Sequence, residues 1–197
     1  MSKNAKDGDL PPEVAALHET LARFTRQADR GTALIASAWV DDCLKACVRA
    51  FFRPDKKIAD DVLQPEGALG TFASRIKLAY LLDIIDPTAY RDLDLLRRIR
   101  NEFAHRRSDL RFTSPPIKDR CREFHAIKAC KLGGWPLSSP KHQVLVTSFF
   151  LSQYLIDLAK PRKRNPLLDH SDAYRSWIRR TVKSRSIALA AEVAGVA

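Results

Sequence analysis

Glycine is scarce in this 197-residue chain, with seven in all, and the eleven prolines fall mostly between periodic apolar segments rather than inside them. That punctuation belongs to helices separated by short breaks, and no stretch shows the strict alternation of a half-buried strand. No apolar run approaches the roughly 20 residues that cross a bilayer, and no apolar N-terminal segment resembles a signal peptide. The expectation is a cytoplasmic protein without a membrane partner. The four cysteines, Cys43, Cys47, Cys121 and Cys130, form no C-x-x-C pair, which argues against zinc-ribbon or thioredoxin-like chemistry. Cys43 and Cys47, one helical turn apart among apolar neighbours, read as small core residues. His18, His125, His142 and His170 are scattered without metal-ligand spacing, so neither metal nor cofactor is expected. There is no internal repeat.

Positive charge is what the chain has in excess. Lys and Arg number 34 against 23 Asp and Glu, for a formal net charge of +11 and a pI near 9.8. Such a balance favours an acidic partner, nucleic acid above all, because neutralised phosphates release counterions whatever the base sequence. The lesser alternative is that the excess only keeps the protein soluble. The length suits one substantial core with appendages rather than two independent domains.

Residues 1–10 are polar and expected to be disordered, and 11–159 carry the periodic pattern of about six helices. Pro11-Pro12 opens the first, with Val14, Leu17, Leu21 and Phe24 on one face. Gly31 then separates it from a long second helix, for which Thr32 is the candidate N-cap and Ala36, Val40, Cys43, Cys47 and Phe51 the apolar stripe. Residues 53–70 read as a charged stretch and a Gly-bearing turn. A third helix starts near Thr71 and runs through Leu82 to about Ile85, carrying Phe72, Ile76 and Ala79. Asp86-Pro87 opens a fourth, with Leu93, Leu96, Ile99 and Phe103 inward.

Ser114-Pro115 begins a fifth helix bearing Ile117, Cys121, Phe124 and Ile127, which ends before Gly133-Gly134. A sixth, from about His142 to Ala159, holds Leu145, Phe149, Phe150 and Leu155. Trp39 reads as a core aromatic and Trp135 as a loop anchor. Residues 160–197 form a basic helical extension, in which an exposed linker at 160–166 leads to a short helix with Tyr174, Trp177, Ile178 and Val182. Arg162, Lys163, Arg164, Arg179, Arg180, Lys183 and Arg185 are its candidate phosphate contacts, and Tyr174 or Trp177 its candidate base-stacking platforms. The competing reading docks the same aromatics on the bundle and leaves the charges as a solvated face.

The segment with the most chemistry is Arg100-Asn101-Glu102-Phe103-Ala104-His105, in the last turn of the fourth helix. Asn101 and His105 share a face, while Arg100 projects about 140° from His105 on an ideal helix. An Arg, a polar residue and a His on one rim can act on RNA without metal: His as general acid or base, Arg on the developing phosphate charge, Asn as orienting group. The structural alternative is a polar cluster tying the helix end to its neighbours, with Asp41 of the second helix as the ion-pair partner.

Several segments resemble the mannitol operon repressor (MltR) family in order and spacing over about residues 30 to 125. They are Gly31-Thr32-Ala33-Leu34-Ile35, Val40-Asp41-Asp42-Cys43-Leu44, Gly67-Ala68-Leu69-Gly70-Thr71-Phe72-Ala73-Ser74-Arg75-Ile76-Lys77-Leu78-Ala79-Tyr80-Leu81-Leu82, Arg98-Ile99-Arg100-Asn101-Glu102-Phe103-Ala104-His105 and residues 112–121. The resemblance implies an all-α bundle and a role in bacterial transcriptional regulation without an ordinary helix-turn-helix, exerted on nucleic acid or through a regulatory protein partner. The Arg-Asn-x-x-x-His string also resembles the motif of HEPN domains, helical bundles that often form homodimers and in many cases cleave RNA. Carried over, Arg100 and His105 would be the catalytic pair, Asn101 the polar residue after the Arg, and Asp41 a supporting acid. A third reading is a pure interaction module in which the motif is structural.

Overall fold

Local capping chemistry decides where several of the helices start. The Asp55 carboxylate accepts the Ile58 amide at 3.0 Å, and Thr71 and Ser74 form a reciprocal capping box. Ser114 and Ser139 precede helices that open on proline. The computed structural model describes residues 28–105, 110–132, 139–160 and 173–183. Among these are eight helices and no strand: α1 (Asp29–Ala50), α2 (Lys56–Leu63), α3 (Phe72–Leu81), α4 (Pro87–His105), α5 (Pro115–Glu123), α6 (His125–Leu132), α7 (Pro140–Ala159) and α8 (Ala173–Lys183). The all-α expectation holds. No helix among the described residues is long and apolar enough to cross a membrane. The helix read at Pro11-Pro12, the polar N-terminus and the loop around Trp135 lie outside the described residues.

α1 and α7 form the long axis of the bundle and run side by side in the same direction. Lys141 at the start of α7 lies 3.5 Å from Asp29 at the start of α1, and Cys43 farther along α1 lies beside Ser152 farther along α7. α4 runs the opposite way, because Arg30 in the first turn of α1 donates to the Ala104 carbonyl in the last turn of α4 at 3.2 Å. Val40, Leu44, Leu93, Leu96, Ile99, Phe103, Phe150 and Leu151 meet in the shared core. Phe103 stacks on Phe112 with centroids 4.9 Å apart, which brings the chain after α4 back onto the bundle.

Four local differences from the expected pattern have physical causes. α1 starts at Asp29, so Gly31 and Thr32 lie inside its first turn; the Thr32 amide bonds to the Ala28 carbonyl at 2.9 Å and its side chain is buried. The stretch 53–70 contains α2, whose Ala59 and Leu63 reach the core. α3 stops at Leu81 instead of about Ile85, because the chain turns at Asp83 (φ 55°) and the Ile84 amide closes back on the Ala79 carbonyl at 2.9 Å. The fifth expected helix is two, α5 and α6, broken at Phe124, whose ψ of 128° is extended. Trp39, expected in the core, is only partly covered.

Candidate functional site

The cysteines are structural. Cys47, Cys121 and Cys130 are buried, and loss of hydration pushes each thiol up to about 12. Polar chemistry gathers instead at the two ends of α4.

At the C-terminal end, Arg100 and His105 are both exposed and Asn101 is half-exposed. The Arg100 guanidinium donates to the Asn101 Oδ1 at 3.0 Å. No hydrogen bond joins Asn101 to His105 among the described residues. Asp41 is not the partner of this group: Arg75 of α3 takes it, with Nε donating to Oδ1 at 2.9 Å and Nη2 to Oδ1 and Oδ2 at 2.7 Å each. Burial raises the Asp41 carboxyl above its ordinary value, while Arg75 and, more weakly, Arg100 pull against that shift. Arg100 therefore sits within the field of Asp41 without holding it.

Arg75 is held in turn by the loop before α3, where its Nη1 donates to the Leu69 carbonyl at 2.5 Å. That carbonyl is placed by a tight return of the chain over α2, in which Leu69 donates to Val62 and Gly70 to Gly67, both at 2.9 Å. Only glycine fits at 67 and 70, since a Cβ at either would fall onto backbone carbonyl oxygens of the preceding residues. Arg75 escaped the reading of candidate residues, yet a signal was present: it shares a face with Phe72, Ile76 and Ala79. A cation on an apolar stripe implies a buried partner.

At the N-terminal end of α4 two fully buried carboxylates organise three helices. Asp86 accepts the Thr88 and Ala89 amides at 2.9 and 2.8 Å, capping α4, and also the Tyr174 amide in the first turn of α8 at 2.6 Å. Asp92 accepts the His125 and Ala126 amides at 2.7 and 3.0 Å, capping α6, and lies 3.4 Å from the Tyr174 hydroxyl, which donates to it. Burial raises the Asp86 carboxyl despite the three amides that favour its charge. The break at Phe124 follows from Asp92, whose carboxylate satisfies the first amides of a new helix.

The aromatics of α8 face inward. Tyr174 and Ile178 are buried, Trp177 meets Phe150 edge-on at 5.8 Å between centroids, and the indole Nε1 donates to Asp157 at 3.0 Å. Tyr174 packs on Tyr154 at 5.1 Å. Tyr174 is thus not a base-stacking platform, and the docking reading of these aromatics holds. Arg175, Arg179 and Arg180 are exposed on the outer side. Arg162, Lys163, Arg164 and Arg185 lie outside the described residues, as does the side chain of Lys183. No group of three or more His, Cys, Asp or Glu that could hold a metal occurs among the described residues.

A family model described as MtlR, mannitol repressor, matches residues 18–155. The mannitol operon repressors of Escherichia coli strains K12 and O6:H1 (CFT073) are each 29% identical over 104 residues, covering 51% of this chain and 53% of theirs. The chain thus spans about half the length of these curated relatives. A chain of the solved MtlR–HPr complex of Escherichia coli superposes with a TM-score of 0.57 at 20% identity, over 73% of this chain and 98% of that one, a likeness of fold. With the family match running through α1 to most of α7, this chain belongs to the mannitol repressor family.

Proposed function

We propose that this protein is a transcriptional regulator of the mannitol repressor kind that works through a protein partner or nucleic acid. The observation that carries the reading is the family match over residues 18–155, which takes in the whole of α4 with its exposed C-terminal end. A protein partner is the favoured mode, since a chain of the same fold was solved in complex with HPr. The basic outer face of α8, with Arg175, Arg179 and Arg180, is the surface that suits an acidic partner or a phosphate backbone. A homodimer and a cytoplasmic location belong to the same proposal.

Titration calorimetry of the full chain, against the HPr of the same cell and against duplex DNA at two salt concentrations, tests this. Binding to HPr that weakens in Arg179→Ala/Arg180→Ala supports the protein-partner mode. Binding to DNA alone, falling steeply with salt, moves the role to nucleic acid. No binding to either at low salt defeats the proposal.

One observation favours a second reading. Arg100 and His105 both reach solvent, as a HEPN-type, metal-independent ribonuclease would need, with Asn101 as the bonded neighbour of the Arg. Asp41 supports that reading less well, because its carboxylate is occupied by Arg75. RNA cleavage by purified protein, lost in a folded His105→Ala variant, would establish it, whereas an inert wild type would remove it.

A further inference from the structure

We propose that α8 is a releasable latch: a basic amphipathic helix that fills, in cis, a docking groove on α6, α4 and α7 that is complete without it. α8 packs mainly on α6 and touches α4 and α7, and it lies beyond the family match, which ends at residue 155. Its anchors are both apolar and polar, and Arg175 adds the pull of its charge on Asp86. Tyr174 and Ile178 enter the core, Trp177 covers Phe150, and three polar contacts, to Asp86, Asp92 and Asp157, fix the register.

The acceptors beneath α8 distinguish a docking groove from an ordinary core contact. Asp86 keeps the Thr88 and Ala89 amides, and Asp92 keeps the His125 and Ala126 amides, whether or not Tyr174 is present. Removing α8 therefore leaves neither buried carboxylate without donors, and α4 and α6 retain their caps. On the other side, the Tyr174 amide is one of the first-turn donors that a helix leaves unmet, and it returns to water at little cost. Such a helix opens as a local unit, while α1, α4 and α7 stay closed. Release uncovers a groove lined by Phe150 and Tyr154, with Asp86 and Asp92 at its floor. It also frees the aromatic inner face of a helix whose outer face carries Arg175, Arg179 and Arg180.

Amide hydrogen exchange of the full chain, read by fragment mass, tests the latch. Residues 175–183 are expected to exchange at least about 100-fold faster than the buried turns of α4 and α7. A full chain carrying Tyr174→Ala and Ile178→Ala is expected to keep its helical circular dichroism and to bind a fluorescent peptide of residues 170–186, but not the same peptide with Tyr174→Ala. Three results overturn the proposal: α8 exchanging together with α4 and α7 in the wild type, collapse of the bundle in the double variant, or a folded double variant that does not bind the wild-type peptide.

Discussion

The two ends of α4 are built on opposite plans. At its start, Asp86 and Asp92 are wholly buried and each accepts two or more backbone amides, so that the cap and first two turns of α4 fix where α4, α6 and α8 begin. At its end, Arg100 and His105 stand in solvent, and among the described residues the one short bond of the group runs between neighbours, Arg100 and Asn101. Polar residues of the first kind specify structure, because removing such a carboxylate strands the helix-start amides it accepts. Those of the second kind cost the fold little and remain available to something outside the molecule.

Asp92→Ala should break this comparison hardest. It leaves the His125 and Ala126 amides without their acceptor at a buried helix start, removes the hydroxyl partner of Tyr174, and opens a small cavity. A loss of about 3 kcal/mol in urea unfolding is expected, with the damage centred on α6 and α8. A loss below about 1 kcal/mol would mean that the carboxylate is not what starts α6.

Arg75→Met comes next and probes the region between the two ends. It removes three bonds to Asp41 and the one to Leu69, but Asp41 keeps a solvent-facing side, with 24% of its side chain accessible, and water can replace part of what is lost. A destabilisation of about 2 kcal/mol is expected. The double variant Asp41→Asn/Arg75→Met should lose clearly less than the sum of the two single changes, as a cycle of urea midpoints would show. Additive losses would mean that the pair is not coupled.

The same contrast explains what the sequence made legible. Helices whose limits are set by neighbours in the chain were readable: the Thr71 and Asp86-Pro87 starts and the Ser114-Pro115 entry all appear where local chemistry puts them. The division of α5 from α6 was not readable, because Ile117, Cys121, Phe124 and Ile127 keep a helical period straight through it. The cause of the break, Asp92, lies 33 residues before His125, whose amide it accepts. The pairing of Asp41 is a similar case, since its partner Arg75 is 34 residues distant and nothing local in the chain ties the two together. Even so, a charged residue on an apolar stripe marked both sites. Asp92 stands among Ala89, Leu93 and Leu96 just as Arg75 stands among Phe72, Ile76 and Ala79. Such a residue announces a buried partner without saying which one.

The smallest expected effect sharpens the comparison from its other side. Arg100→Ala and His105→Ala, singly or together, should change unfolding free energy by no more than about 0.5 kcal/mol, because neither side chain is buried and neither bridges two helices. The α4 C-terminus keeps its tie to α1 in both variants, since the Arg30 guanidinium bonds to the Ala104 carbonyl rather than to a side chain of the motif. Partner binding, or RNA cleavage if that is the activity, is then measured in a protein whose fold is intact, and any loss belongs to the exposed face itself. A destabilisation above about 1 kcal/mol would instead place Arg100 or His105 among the structural residues, and the difference between the two ends of α4 would disappear.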